Sequence, residues 1–349
     1  MSKPVVFIEM EKLRDRHSGL GQFCFHLGKE LAAGYADQIH FIFGVPKNTI
    51  GIFGSTIDYF PLSTYHKVWF HPPRADVWHA THQASPFFRF SSSSRRILTV
   101  HDLNILRKYS GLKRNWHLAI VRRNVAQANR LVAISHFTQQ EYRQSDLDIR
   151  GEFPVIYNGN NLEGETLQIE PAVLPHGPFL LTLGIIEAKK RFHHLIPMMK
   201  HLPGLQLLIA GRNTTDYAAD IRRLAHAEGI ADRLMMPGEV SDAEKAWLLE
   251  HCTAFLFPSG SEGFGMPVVE AMHFGKPVFL SQHTSLPEIG GDLAFYFQQD
   301  DALLMAKDYL DGMEKYQSSP QYAQRLKERA ATFSWRKAAA AYANLYLAT

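Results

Sequence analysis

Short runs of β-branched and aromatic residues alternate along this chain with longer segments of helical period, a pattern that predicts βα units and parallel sheets. In the first half the runs are VVFIEM (5–10), HFIFGV (40–45), VWHAT (77–81), ILTVHD (97–102), LVAIS (131–135) and FPVIYNG (153–159). The alternation restarts with FLLTLG (179–184), LQLLIAG (205–211), LMMPGEV (234–240), AFLFPS (254–259) and PVFLSQ (277–282). Between the halves, residues 160–177 are rich in Asn, Gly, Pro and acids and have no period, which marks a linker. The expectation is two doubly wound α/β domains, with ligand bound beyond the carboxyl ends of the strands in a cleft between them.

Composition agrees. A chain of 349 residues is longer than the roughly 250–300 at which one hydrophobic core stops growing. With 46% hydrophobic and 20% charged residues it reads as an ordinary globular protein. The formal net charge of +3 is too small to imply a nucleic-acid partner, and none is expected. Cys24 and Cys252 stand far apart among apolar residues and read as reduced, buried thiols of a cytoplasmic protein. No run approaches the roughly 20 apolar residues of a membrane span, and no secretion signal is expected.

Candidate chemistry concentrates in PSGSEGFGMPVVEAMHFGKPV (258–278). A strand ends, a glycine-rich loop carries Glu262, and a helix opens near Met266 and Pro267 with Glu270 about one turn in. Proline suits the first helical turn, where its missing N–H has no partner to lose. The N–H groups from Phe264 to Val268 and the positive helix end suit phosphate or sugar oxygens. Two carboxylates repel phosphate but accept hydrogen bonds from neutral hydroxyls, such as a ribose diol or a hexose. Taken alone, each glutamate can equally be a helix-dipole partner.

This stretch resembles the E-x7-E signature of family 4 (group 1) retaining glycosyltransferases, which have the GT-B fold. Glu262, Gly263, Phe264, Gly265, Met266, Pro267, Glu270 and Ala271 match E-G-F-G-[LM]-P-x-x-E-A without a gap. The resemblance is dense from 179 to 346 and includes FSWRKAAAAYANLY (333–346), like the family's closing helix. It implies an N-terminal acceptor-binding domain over 1–165, a nucleotide-sugar domain over 166–332, and a helix from 333 to 349 that returns to the first domain. It implies that Glu270 holds the donor ribose, that Glu262 lies beside the transferred sugar, and that Phe264, Gly265, Met266 and Pro267 frame sugar and diphosphate. LGIIEAKKRFHHLI (183–196) is similar to the family's G-x-x-x-P-R-K-N segment, which makes Gly184 and Lys190 donor-binding and Lys190 the diphosphate lysine. Ile185 stands where many members carry arginine, so Arg191 or Arg212 is the candidate second cation; the base is expected near Gly238 to Val240.

In the first half, SGLGQF (18–23) resembles the family's glycine loop, with Gly21 approaching donor phosphates; Cys24 occupies the third glycine position of G-x-G-x-x-G, so a dinucleotide reading is weak. TVHDL (99–103) resembles the histidine segment beside the donor sugar and makes His101 the catalytic candidate there, with Glu262 and Lys190 in the second half. WHATHQ (78–83) adds His79 and His82 as acceptor contacts. Asp146-Leu147-Asp148 matches D-x-D, but it follows a helix in a polar loop, and neither a metal nor another cofactor is implied. The partners implied are a nucleotide sugar and a saccharide or lipid-linked acceptor, in cell-surface polysaccharide or lipopolysaccharide synthesis. Leu103 to Gln140 holds Arg107, Lys108, Lys113, Arg114, Arg122, Arg123 and Arg130 around Leu112 and Trp116, suited to an anionic membrane on its cytoplasmic face. Two other classes compete: another enzyme of nucleotide sugars on this fold, an epimerase or phosphorylase, and a non-catalytic nucleotide-sugar binder.

Overall fold

The computed structural model describes residues 3–90, 95–104, 110–163 and 167–348. The chain divides into two compact units: residues up to Asn161 together with those from Ser334 on, and Leu162–Phe333.

The first unit is a parallel sheet of order β3-β2-β1-β4-β5-β6, made of Val5–Glu9, His40–Pro46, Asp58–Leu62, Val77–Ala80, Arg95–Val100 and Arg130–Ala133 for β1 to β6. Helices α1 (Gly19–Tyr35), α2 (Gly111–Gln127) and α3 (His136–Arg143) connect them. Strand β1 is buried from Val6 to Glu9 and β4 throughout, as central parallel strands covered on both faces must be. Segment 153–159 does not extend the sheet as a strand. It makes a single bridge from Val155 to Ala133, because Pro154 can offer only its carbonyl to the ladder, where it accepts from the Ala133 N–H at 3.0 Å. Edge strand β3 was not legible: its Pro61 interrupts the pattern and is tolerated only because the strand has a single neighbour.

The last helix, Trp335–Leu347, belongs to this unit. Trp335 Nε1 donates to Asn161 Oδ1 at 3.0 Å, and a Cβ on Gly159 would meet the Trp335 backbone nitrogen at 2.1 Å, so only glycine permits that approach.

The second unit repeats the order as β12-β11-β10-β7-β8-β9, all parallel, from Phe179–Leu183 (β7), Gln206–Ala210 (β8), Leu234–Gly238 (β9), Ala254–Phe257 (β10), Val278–Leu280 (β11) and Phe295–Tyr296 (β12). The two-residue β12 is too short to carry a periodic signal. Its core joins Leu180, Phe192, Leu207 and Ile209 to Leu256, Phe279 and Tyr309. In each unit the strand order reverses between the first and fourth strands, β1 with β4 and β7 with β10. Such a switch point opens a crevice beyond the carboxyl ends of those two strands.

Candidate active site

At the switch point of the second unit, β7 runs into Gly184 (φ +138°), and the chain turns back through the single turn Ala188–Lys190. Arg191, in the left-handed region at φ 55°, stops that turn. A Cβ on Gly184 would lie 3.3 Å from Lys190 Cε, so the glycine leaves the lysine stem its room. Beyond β10, Ser259 to Gly265 form the facing loop. Lys190 Nζ meets Glu262 Oε1 at 2.7 Å, with only 11% and 13% of the two side chains exposed. The same carboxylate oxygen accepts from Ser259 Oγ at 2.5 Å, and the ammonium lies 4.7 Å from the centroid of the Phe257 ring. Burial pushes the Glu262 carboxyl up, but Lys190 and then Lys189 outweigh it, and the net pKa falls below the ordinary 4.5. The loop is clasped from the β11 side: Glu262 N–H donates to Thr284 Oγ1 at 3.0 Å, and Ser285 Oγ donates to the carbonyls of Glu262 and Phe264 at 3.1 and 2.9 Å.

Gly265, at φ +103°, turns the chain into the helix Met266–His273, with Met266 and Pro267 in its first turn and Phe264 buried against Phe333. Glu270 is 3% exposed and pairs with Lys245 of the helix Asp242–His251 at 3.1 Å. Lys245 also reaches Asp242 at 3.1 Å. Burial lowers the Lys245 pKa, but Glu270 and Asp242 more than offset it and the net direction is up. Sequence reasoning missed Lys245. The available signal was the capping box Ser241/Glu244, which fixes the helix register and sets Lys245 beside the apolar Ala246, Leu248 and Leu249.

The candidate second cations are both already engaged. Arg191 is paired with Asp300 and lies 2.8 Å from His283 Nε2, while Arg212 Nε donates to Glu239 at 3.1 Å, next to the half-buried Val240.

At the switch point of the first unit, His101 follows β5. Its Nε2–H donates to the Thr81 carbonyl at 2.8 Å, which leaves the lone pair on Nδ1, and Phe23 packs edge-on at 4.8 Å. Burial drives its pKa down to about 4, with Lys12 adding to the fall, so the ring is neutral near pH 7. His82 is half-buried with its ring 6.4 Å from His101, and its Nδ1 accepts the Ala84 N–H at 3.2 Å.

One first-half assignment is corrected, and a second residue has a reason within its own chain. His79 is fully buried: Nδ1 bonds to the Tyr346 hydroxyl at 2.7 Å and Nε2 to Thr99 Oγ1 at 2.8 Å, so neither nitrogen is left for an acceptor. It ties the sheet to the last helix. Gly21 lies inside the first turn of α1, where its N–H donates to Ser18 Oγ at 3.1 Å. A Cβ there would meet the Asp15 carbonyl oxygen at 2.0 Å, so the glycine is required by its own chain.

Among the described residues, no group of three or more His, Cys, Asp or Glu is placed to hold a metal ion, and no helix is long and apolar enough to cross a membrane. Cys24 and Cys252 are buried, and burial pushes both thiols up to about 12.

Two six-stranded parallel sheets with the same switch-point order are the GT-B glycosyltransferase fold. The structure is similar to sucrose-phosphate synthase from Thermosynechococcus elongatus with a TM-score of 0.77, over 99% of this chain and 98% of that one, at 18% identity. Residues 167–333 match the family model of glycosyl transferases group 1. Against a serotype-specific mannosyltransferase of Escherichia coli it is 33% identical over 174 residues, 46% of this chain and 20% of that protein. Against the GDP-mannose:cellobiosyl-diphosphopolyprenol alpha-mannosyltransferase of Komagataeibacter xylinus it is 27% identical over 245 residues, 67% of this chain and 60% of that one. The match thus spans a fifth of the Escherichia coli protein.

Proposed function

We propose that this protein is a retaining, metal-independent glycosyltransferase that moves a hexose from a nucleoside-diphosphate sugar to a saccharide or lipid-linked acceptor in cell-surface polysaccharide or lipopolysaccharide synthesis. The observation that carries the reading is the buried Lys190–Glu262 pair at a switch-point crevice, beside a helix start that brings in Glu270. In the reaction, the bond between the sugar's anomeric carbon and the β-phosphate oxygen breaks while the acceptor oxygen bonds to that carbon on the same face. The acceptor proton passes to the departing phosphate. Lys190 meets the charge growing on that phosphate, at a site already dry and preorganised. Glu262 accepts from hydroxyls of the sugar and Glu270 from the ribose. Neutral His101 offers Nδ1 to a sugar hydroxyl, and His82 remains an acceptor contact. Gly184, Phe264, Gly265, Met266 and Pro267 shape the donor pocket, with Arg191, Arg212 and Val240 at its margin.

A panel of nucleotide sugars tests this by donor hydrolysis and thermal stabilisation. Both relatives are named as mannosyltransferases and one for GDP-mannose, so GDP-mannose is expected to raise the melting temperature and release GDP. Neither effect from any member of the panel would refute the assignment.

A peripheral position on the cytoplasmic face of an anionic membrane is part of the same reading. It is supported by α2, where Leu112 is 88% and Trp116 63% exposed beside exposed Lys113, Arg114 and Arg122. Arg107 and Lys108 lie outside the described residues. Each such charge near the surface contributes about 1 kcal/mol. The protein should sediment with phosphatidylglycerol vesicles at low salt and leave them at high salt; equal sedimentation with phosphatidylcholine vesicles would count against it.

A further inference from the structure

The geometry points to a self-association surface on the second unit. The helix Ala302–Gln317 of one copy lies antiparallel against the same helix of another, and Leu303 of each copy enters a groove beside the far end of the other's helix. The occupant is thus a second copy of this chain. The inference stands apart from the reaction and uses no residue of the candidate active site.

The groove lies at the amino ends of strands in the second sheet, where Leu205 leads into β8 and Thr253 into β10. Lys190 and Glu262 stand beyond the opposite, carboxyl ends. The groove has a volume of about 710 Å³ and is lined by the buried Leu202, Tyr309 and Met313 and the exposed Leu310, Glu314 and Gln317. The helix along it has 16 residues and is about 24 Å long. Met305, Ala306, Tyr309 and Met313 bury its inner face. Its outer face holds Leu303, Lys307, Leu310, Glu314 and Gln317, at steps of four and three that set all five on one stripe. Leu303 and Leu310 are 59% and 54% exposed. One exposed leucine needs no explanation, but two on a single stripe that borders an apolar groove do.

Charge decides what covers them. Among the described residues neither Lys307 nor Glu314 has an ion-pair partner. Consider a two-fold axis that passes between Leu310 and Asp311 and sets two copies of the helix antiparallel. Positions 307 and 314 are equally far from that axis, so Lys307 of each copy comes opposite Glu314 of the other. Positions 303 and 318 are equally far from it too, so each Leu303 comes opposite Ser318, which lines the groove. One operation pairs both charges and seats both leucines. Lys307 and Lys315 offset Asp311 and Glu314 within each copy, so no net charge on this face holds two copies apart. A contact between helices this short covers less than the roughly 800 Å² per side of a standard interface, so the dimer should be weak.

Sedimentation velocity of the whole chain between about 1 and about 300 µM tests this, a range set by the small contact. Native protein should pass from monomer to dimer across it. Leu303→Asp should remove the dimer from that range, since symmetry introduces the buried charge twice. Lys307→Glu and Glu314→Lys should each weaken association about tenfold, by setting like charges opposite one another. Mixing those two variant proteins should restore association to at least native strength, because both contacts then join opposite charges. Both changes in one chain should also restore it. All three side chains are exposed, and a melting curve checks that each variant folds. Native protein that stays monomeric throughout overturns the proposal and leaves the groove to a small apolar ligand or a different protein. So does a dimer that Leu303→Asp leaves intact, or a loss in the two charge variants that mixing does not rescue.

Discussion

Replacing Lys190 by glutamine should abolish measurable turnover and lower the unfolding free energy of the second unit by about 3–5 kcal/mol, the usual result of removing one partner from a buried ion pair. The cause is what remains. Glu262, 13% exposed, would keep Ser259 as a hydrogen-bond donor but lose the charge that offsets its desolvation. In the native protein the Glu262 pKa lies below its ordinary 4.5, so its stabilising contribution is present above that value and is lost as pH falls through the folded pKa. In the variant, burial is opposed only by Lys189 and the Ser259 hydrogen bond, and the folded pKa moves up. The deficit should then be largest near pH 7 and shrink on acidification to pH 5, as the carboxyl takes up its proton. A second substitution, Glu262→Gln, should restore most of the stability and none of the activity. Urea unfolding followed by tryptophan fluorescence at the two pH values measures all of this. A deficit below about 1 kcal/mol, or one that does not change with pH, would show the pair to be loose and solvated.

The same pair marks how far the sequence can be read. Lys190 and Glu262 are 72 residues apart, and each was legible from its own segment: the lysine through the resemblance of 183–196 to a family segment, the glutamate from the glycine-rich turn before a helix. That they meet at 2.7 Å is a property of the switch point, which sets the loops after β7 and β10 side by side. The central strands were readable because burial on both faces makes them continuous apolar runs. The edge strand Asp58–Leu62 and the short Phe295–Tyr296 were not, since one contains a proline and the other is too brief to show a period. Residues 153–159 gave the opposite error, an apolar run that Pro154 keeps from pairing beyond one bridge.

Where side-chain role was inferred from position at a strand end, the outcome turned on direction. His79 and His101 both sit at or just past the carboxyl end of a strand. The first points into a layer closed by Tyr342 and Tyr346, from a helix more than 250 residues later in the chain, and no local pattern announces that. His101 instead bonds to Thr81 of the neighbouring strand end and keeps one nitrogen for chemistry. Gly21 shows the same limit for glycine: the motif was real, but the close approach it allows is to Asp15 of its own chain. Lys245 went unread because a lysine on a helix ordinarily reads as a solvated charge, and its value depends on a buried carboxylate 25 positions away.

Glu270→Gln and Glu262→Gln should therefore fail in different ways. At Glu270 the amide keeps the shape but loses the charge. Hydrogen bonds to a ribose diol should weaken by roughly 1–3 kcal/mol, seen as weaker binding of both donor and nucleoside diphosphate. Lys245, 15% exposed and left with Asp242 alone, should then be less firmly held, and the stability loss should exceed that of an exposed Glu→Gln change. At Glu262 the substitution removes the carboxylate beside the transferred sugar and frees Lys190 from its partner. Turnover should fall by at least about a hundredfold. Nucleoside-diphosphate affinity should hold or rise slightly, because that product lacks the sugar and meets a lysine no longer paired with a carboxylate. Calorimetric titration of the diphosphate into both variants, beside single-turnover rates with the donor, separates the two roles. An equal loss of diphosphate affinity in both would end the division between ribose and sugar. Full activity in both would return the glutamates to partners of a helix end and of two lysines, with no substrate between them.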